Sequence, residues 1–406
     1  MSVRKRIWKT AEGVENFAWV VDYVDQHGKR RLKTFALKKN AIAYETTVRG
    51  EVAEGTHTAD SASVTIAEAG RLWIESARNA GLERSTVEQY ESHLKFHIVP
   101  FLGRTKLSQL SAPMVREFED RLREGTEPGG AEARPRSAAM VKKVRGSLST
   151  LIGDAQERGL VVRNVARELR ARRKRGKDRR AERRQHGKLK VGVDIPSREE
   201  IKAIVGKLDG RWRPIMLTAI FTGLRASELR GLRWADVDLA KGELHVRQRA
   251  DRYNAIGAPK SEAGERPVPL PPLVLNALKE WKLRAPKSEL DLVFPTSRGT
   301  ILSHANLINR AFIPVQIAAG VTATEKGSDG APIVRAKYTG LHALRHFYAS
   351  WCINRRADGG LELPPKVVQE RLGHSSIVMT MDTYGHLFPR GDDSEEIADA
   401  ERKLLA

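Results

Sequence analysis

Early in the chain, Phe17, Trp19, Val21 and Tyr23 alternate with smaller or polar residues, the period-two pattern of a half-buried strand. A turn at Gln26-His27-Gly28 leads into a second run, Lys29 to Phe35, which mixes basic residues with Leu32 and Phe35; Lys38 to Arg49 then reads as a helix. Residues 1–60 are expected to form a small sheet carrying one helix. The basic second strand suits DNA contact, and equally suits a solvated edge that lysines guard against pairing.

From Thr65 the period lengthens to three and four. Thr65-Ile66-Ala67-Glu68 and Ser85-Thr86-Val87-Glu88 both fit the reciprocal cap of a helix start. Trp73 follows Ala69 by four, and Val87, Tyr90, Leu94 and Ile98 repeat until Pro100, which is expected to end that helix. Val115, Phe118 and Leu122 mark another helix; Val141, Val144, Leu148, Leu151 and Ala155, closed by Gly159, mark a fourth. Residues 61–165 are thus predicted to be a helical bundle with a Gly/Pro loop from Gly125 to Pro135. Past Ile195, Ser197-Arg198-Glu199-Glu200 caps a helix bearing Ile201, Ile204, Val205 and Leu208. A helix through Ile215 to Phe221, a short β region from Leu244 to Leu270 and further helices follow, with no internal repeat. The expected class is mainly α with small β-sheets (α+β), in domains 1–60, 61–165 and 195–406 joined by a linker over 166–194.

Charge changes this picture of the linker. Between Arg167 and Lys190 there are 13 basic and 3 acidic residues, a net of +10 out of +21 for the 406-residue chain. Such a segment packs poorly by composition; it is either a solvated connector or a basic strap closing around DNA. The overall excess, 71 Lys and Arg against 50 Asp and Glu, makes nucleic acid the expected partner through counterion release. No segment approaches the roughly 18 uninterrupted apolar residues that span a bilayer, and Met1-Ser2-Val3-Arg4-Lys5-Arg6 has no apolar run behind it, so neither a membrane partner nor a secretory signal is expected. The single cysteine, Cys352, excludes an internal disulfide and is read as a buried structural thiol. The expected setting is the cytoplasm, with the protein associated with the nucleoid.

Cutting a phosphodiester needs a nucleophile, cations for the pentacoordinate charge, and a proton donor for the departing oxygen. The chain lacks a persuasive acidic cluster for magnesium, so the positive charge would come from side chains, without metal or cofactor. Arg225 lies in Thr222-Gly223-Leu224-Arg225-Ala226-Ser227-Glu228-Leu229, where Gly223 ends one helix and Arg225 opens another; Glu228 follows on the same face. Taken alone, this is most often a surface ion pair. His342 and Arg345, three apart in His342-Ala343-Leu344-Arg345-His346, share a helical face and can clamp a phosphate and exchange a proton. His342 and His346 at four apart would also suit zinc, but Ala343 stands where a zinc protease of that spacing has glutamate. His374 follows a helix-stopping glycine in Leu372-Gly373-His374-Ser375-Ser376, and Tyr384 lies ten residues on in Thr383-Tyr384-Gly385-His386.

In their order and spacing these four segments together resemble the tyrosine recombinase family, which includes phage integrases. The resemblance implies that Arg225 and Arg345 clamp the scissile phosphate, that His342 handles a proton, that His374 donates a hydrogen bond to the transition state, and that Tyr384 is the nucleophile. It also implies a lysine acid on a β-hairpin, for which Lys260 in Ala258-Pro259-Lys260-Ser261 is the candidate, and it leaves His346 as a helper behind the residues that touch phosphate. Where many members carry an acidic residue, Ala343 departs without evident harm. The implied architecture is an arm-site module (1–60), a core-site bundle (61–165) and a catalytic domain (195–406) whose tail, with Ile397, Leu404 and Leu405, docks on a neighbouring subunit or on its own domain. The implied function is site-specific recombination through a 3′-phosphotyrosine, integrating or excising a mobile element. Its partners would be double-stranded DNA attachment sites, three further copies in a homotetramer, and possible DNA-bending and excision factors. A type IB-like topoisomerase and a catalytically silent DNA-binding protein are the alternatives.

Overall fold

Strands Ser2–Lys9, Glu15–Val24 and Arg30–Phe35 pair antiparallel in that order. The register sets Val21 opposite Val3 and Lys33, and Trp19 opposite Lys5 and Phe35, so these residues share the face that packs on the helix Lys38–Ala53 through Val21, Tyr23, Ala41 and Val48. The first strand was not foreseen, because its sequence SVRKRIWK is nearly all exposed and shows no apolar alternation strong enough to read. The opposite face bears Arg4, Arg6, Trp8, Arg30 and Leu32, with Trp8 and Leu32 exposed. In the computed structural model the described residues are 1–55, 57–60, 63–126, 134–169, 188–326, 331–389 and 393–406, and they divide into two units, 1–173 and 174–406. Most of the basic linker and of the Gly/Pro loop lies outside the described residues.

The first unit continues with helix Ile66–Asn79, whose cap is the reciprocal one its sequence predicts: Thr65 Oγ1 accepts from Glu68 N–H at 3.2 Å and Glu68 accepts from Thr65 N–H at 2.8 Å. Two local expectations fail. Helix Arg84–His93 starts behind Glu83 with no side-chain cap, so Ser85 lies inside the first turn instead of before it, and Glu88 accepts from Arg84 Nε at 2.9 Å. Pro100 does not stop the chain: a π turn over Leu94–Ile98 lets Val99 N–H reach Leu94 O, and Pro100 then falls in the first turn of Val99–Leu102, where its missing N–H is not required. Helices Ala112–Glu124 and Ala138–Glu157 complete a core around Trp73, Phe118, Leu148 and Leu151.

In the second unit, Ser197 and Glu200 cap helix Arg198–Gly206 reciprocally, and Glu200 also accepts from Tyr338 Oη at 2.7 Å. Buried helix Trp212–Thr222 packs against Pro272–Arg284 and His342–Ile353. Strands Val237–Asp238, Glu243–Val246 and Arg266–Pro269 form an antiparallel sheet in that order, and Arg249–Ala250 pairs with Ile256–Gly257 beside it. A hairpin, Thr322–Lys326 with Pro332–Ala336, stands among the further helices that the sequence predicts after Leu270. The chain is therefore mainly helical with small antiparallel sheets, as the patterns predict. Cys352 is fully buried, and no helix among the described residues is long and apolar enough to cross a membrane.

Candidate active site

Helix Trp212–Thr222 ends at Gly223 with φ +61°, a left-handed conformation that frees the chain to turn. A Cβ on Gly223 would lie 2.3 Å from the Tyr348 ring, so glycine is required for space as well. Two residues later Arg225 caps helix Ala226–Gly231. Its backbone N–H and its Nη1 both donate to Glu228, at 2.9 and 2.7 Å, as the three-residue spacing predicts, and its Nη2 donates to Gly373 O at 3.0 Å.

Arg345 is 2% exposed; its Nη1 donates to Gly223 O at 2.7 Å and its Nη2 to Leu372 O. Both arginines thus converge on the left-handed turn at Gly373 that ends helix Pro365–Leu372. His374, next in the chain, pairs through Nδ1 with Thr380 Oγ1 at 2.9 Å, and its ring lies parallel to Tyr384 with centroids 6.3 Å apart. Tyr384 ends helix Ile377–Tyr384 and is 1% exposed. Its hydroxyl is 2.8 Å from His346 Nδ1, and His346 meets His342 edge to face at 4.5 Å.

The structure therefore brings Arg225, His342, Arg345, His374 and Tyr384 together and adds His346, which the sequence reading had left behind the phosphate-contacting set. Its signal was present, one helical turn after His342, but spacing alone does not say which ring meets a tyrosine 38 residues away. Lys260 lies exposed on the loop after strand Ile256–Gly257. Arg266, which the sequence does not single out, is 7% exposed and donates to Glu228, Gly264 O and Arg371 O.

Burial dominates the electrostatics. It raises the Tyr384 phenol to about 12, outweighing the opposing pull of Arg345 and Arg225. Burial, and then the neighbouring charges, hold His346 and His374 down at about 4, and His342 is lowered for the same reason. At neutral pH the imidazoles are uncharged and the phenol keeps its proton. Arg345 is pushed below its ordinary range by burial and next by Arg225, and a guanidinium keeps its proton at neutral pH. Glu228 is held below the usual carboxylate range, since Arg266 and Arg225 together overcome its burial.

The description "Phage integrase family" matches residues 197–390, and "Phage integrase, N-terminal SAM-like domain" matches residues 65–123. A tyrosine recombinase XerC-like protein of Caldanaerobacter subterraneus subsp. tengcongensis is 26% identical over 394 residues, 90% of either chain. The ICEBs1 integrase of Bacillus subtilis is 29% identical over 46% of this chain and 47% of its own. In fold, the chain is similar to the Tn1549 transposon integrase in complex with transposon right end DNA (TM-score 0.60, 19% identity, 84% of this chain and 100% of that one). It is also similar to lambda integrase bound as a dimer to a core site (TM-score 0.53, 20% identity, 93% of each).

Proposed function

Because this chain belongs to the phage integrase family of tyrosine recombinases, enzymes that break and rejoin DNA, we propose that it recombines specific DNA sites through a phosphotyrosine link at Tyr384. The observation that carries this reading is the convergence of Arg225, Arg345, His374 and Tyr384 around the Gly373 turn.

The Tyr384 oxygen attacks the scissile phosphorus while its proton passes to His346 Nδ1, the atom already 2.8 Å away and uncharged. Arg225, partly open to solvent, and Arg345 bind the non-bridging oxygens. In the tautomer that serves this reaction His374 Nδ1 accepts from Thr380 Oγ1 and Nε2 carries the proton for donation to the same phosphate. His342 backs His346 in handling the phenol proton. Lys260 protonates the departing 5′ oxygen, the P–O5′ bond breaks, and DNA stays attached through its 3′ phosphate. A different 5′ hydroxyl reverses the steps, so rejoining needs no ATP. Since Tyr384 is 1% exposed, the pocket has to open to a phosphate while the Tyr384–His346 contact is kept.

Residues 65–123 with the rest of the helical bundle would grip the core site, and the open sheet face with Arg4, Arg6, Trp8 and Arg30 would read an arm site. Lambda integrase, similar in fold, is seen as a tetramer on a Holliday junction; the same assembly is proposed here, on double-stranded attachment sites, with DNA-bending and excision factors as auxiliary partners. The test is a supercoiled plasmid carrying two copies of the attachment sequence found beside the gene. Deletion or inversion between the copies is expected; relaxation without joining would identify a topoisomerase, and unchanged plasmid would leave only DNA binding.

A further inference from the structure

A buried arginine outside the expected catalytic set ties three parts of the pocket together. Arg266 opens strand Arg266–Pro269, with its side chain 4% exposed. Its Nη2 donates to Glu228 Oε2 at 2.9 Å, its Nη1 to Gly264 O at 2.8 Å, and its Nε to Arg371 O at 2.7 Å. Each acceptor leads to a different reacting group. Glu228 holds Arg225. Gly264 closes on Pro259, next to Lys260, so tightly that a Cβ there would come within 2.5 Å of the Pro259 side chain. Arg371 O lies just before the turn that presents His374, and a Cβ on Gly373 would stand 2.7 Å from Arg266 Nη1.

Resting on the function proposed above, we propose that Arg266 is a positioning residue that keeps Arg225, the Lys260 loop and the His374 turn in register, and that leaves Arg225 effectively cationic by sharing Glu228 with it. A carboxylate paired with Arg225 alone would cancel its charge before any phosphate arrived. With two guanidinium groups on one carboxylate, a net positive charge remains for the substrate. The planar fork reaches three acceptors in different directions, which a point charge does not.

Removing Arg266 alone changes both the charge on Glu228, which Arg225 would then hold by itself, and the placement of the loops, so the informative comparison, with that charge absent from both sides, is Arg266→Met/Glu228→Gln against Glu228→Gln. The probe is a nicked duplex recovered from a randomised library by covalent capture on the wild-type chain, made with either an oxygen or a sulfur at the scissile 5′ position. A sulfur leaves without needing a proton, so it bypasses Lys260. The double variant is expected to melt and bind the duplex like Glu228→Gln, yet to cleave the oxygen duplex about 30-fold more slowly, a gap that shrinks about tenfold with sulfur. Arg266→Lys, which keeps a cation beside Glu228, is expected to fold and show the same sulfur-sensitive deficit. Equal cleavage by the double variant and Glu228→Gln would overturn the positioning role, and a deficit of the same size with both leaving groups would overturn its reach to the Lys260 loop. Failure of the wild-type chain to capture any duplex would instead defeat the proposed function itself.

Discussion

Tyr384 is a phenol held at about 12 by burial despite two guanidinium neighbours. Arg345 and Arg225 do ease phenolate formation, but desolvation is larger. In the proposed reaction the proton therefore has to leave as the oxygen attacks, which makes the 2.8 Å contact with His346 the important one. His346→Ala should slow formation of the covalent intermediate about 100-fold with DNA affinity unchanged, as single-turnover cleavage and anisotropy titration would measure; an unaltered rate would remove His346 from the reaction. Arg225, Arg345, His374 and Tyr384 were legible because each sits in a short local motif. The roles of His346 and Arg266 were not, since they depend on partners 38 and up to 105 residues away in sequence.

At the level of elements, local chemistry was readable and long-range pairing was not. The caps at Thr65 and Ser197 form because their partners are three residues away. At Ser85 the same letters fail because the helix starts behind Glu83 and takes the serine into its first turn, and at Pro100 a π turn moves the hydrogen bond that proline would have broken. The elbow at Gly223 gives a stability prediction: Gly223→Ala combines a strained φ with a clash on Tyr348, and should lower unfolding free energy by about 2–4 kcal/mol in urea titration. The buried histidines give a pH prediction. His346 and His374 bind protons near pH 4 when folded and near 6.5 when unfolded, so between those values the unfolded chain holds more protons. Their contribution is complete above about pH 6.5 and is lost as pH falls through 4. Between pH 7.5 and 4.5 the wild-type chain should lose more stability than His374→Gln; an equal or smaller loss would show that this ring titrates normally.

Across the whole molecule, the net charge of +21 sets how the chain meets DNA. With about 6–10 phosphates neutralised, affinity should drop roughly 10³-fold or more between 50 and 200 mM salt, a slope that titration at several salt concentrations would give directly. A nearly flat dependence would mean that the charge does not face the duplex. Order and spacing of motifs over residues 222–386 were enough to suggest the reaction, whereas the meeting of those motifs at one turn is a property only the folded second unit displays. The most direct measurement is mass spectrometry of the chain after incubation with a nicked attachment-site duplex and denaturation. The account predicts a nucleotide joined through its 3′ phosphate to the peptide containing Tyr384, absent in Tyr384→Phe although that variant still binds the duplex. An adduct on another residue, or an undiminished one in Tyr384→Phe, would contradict it.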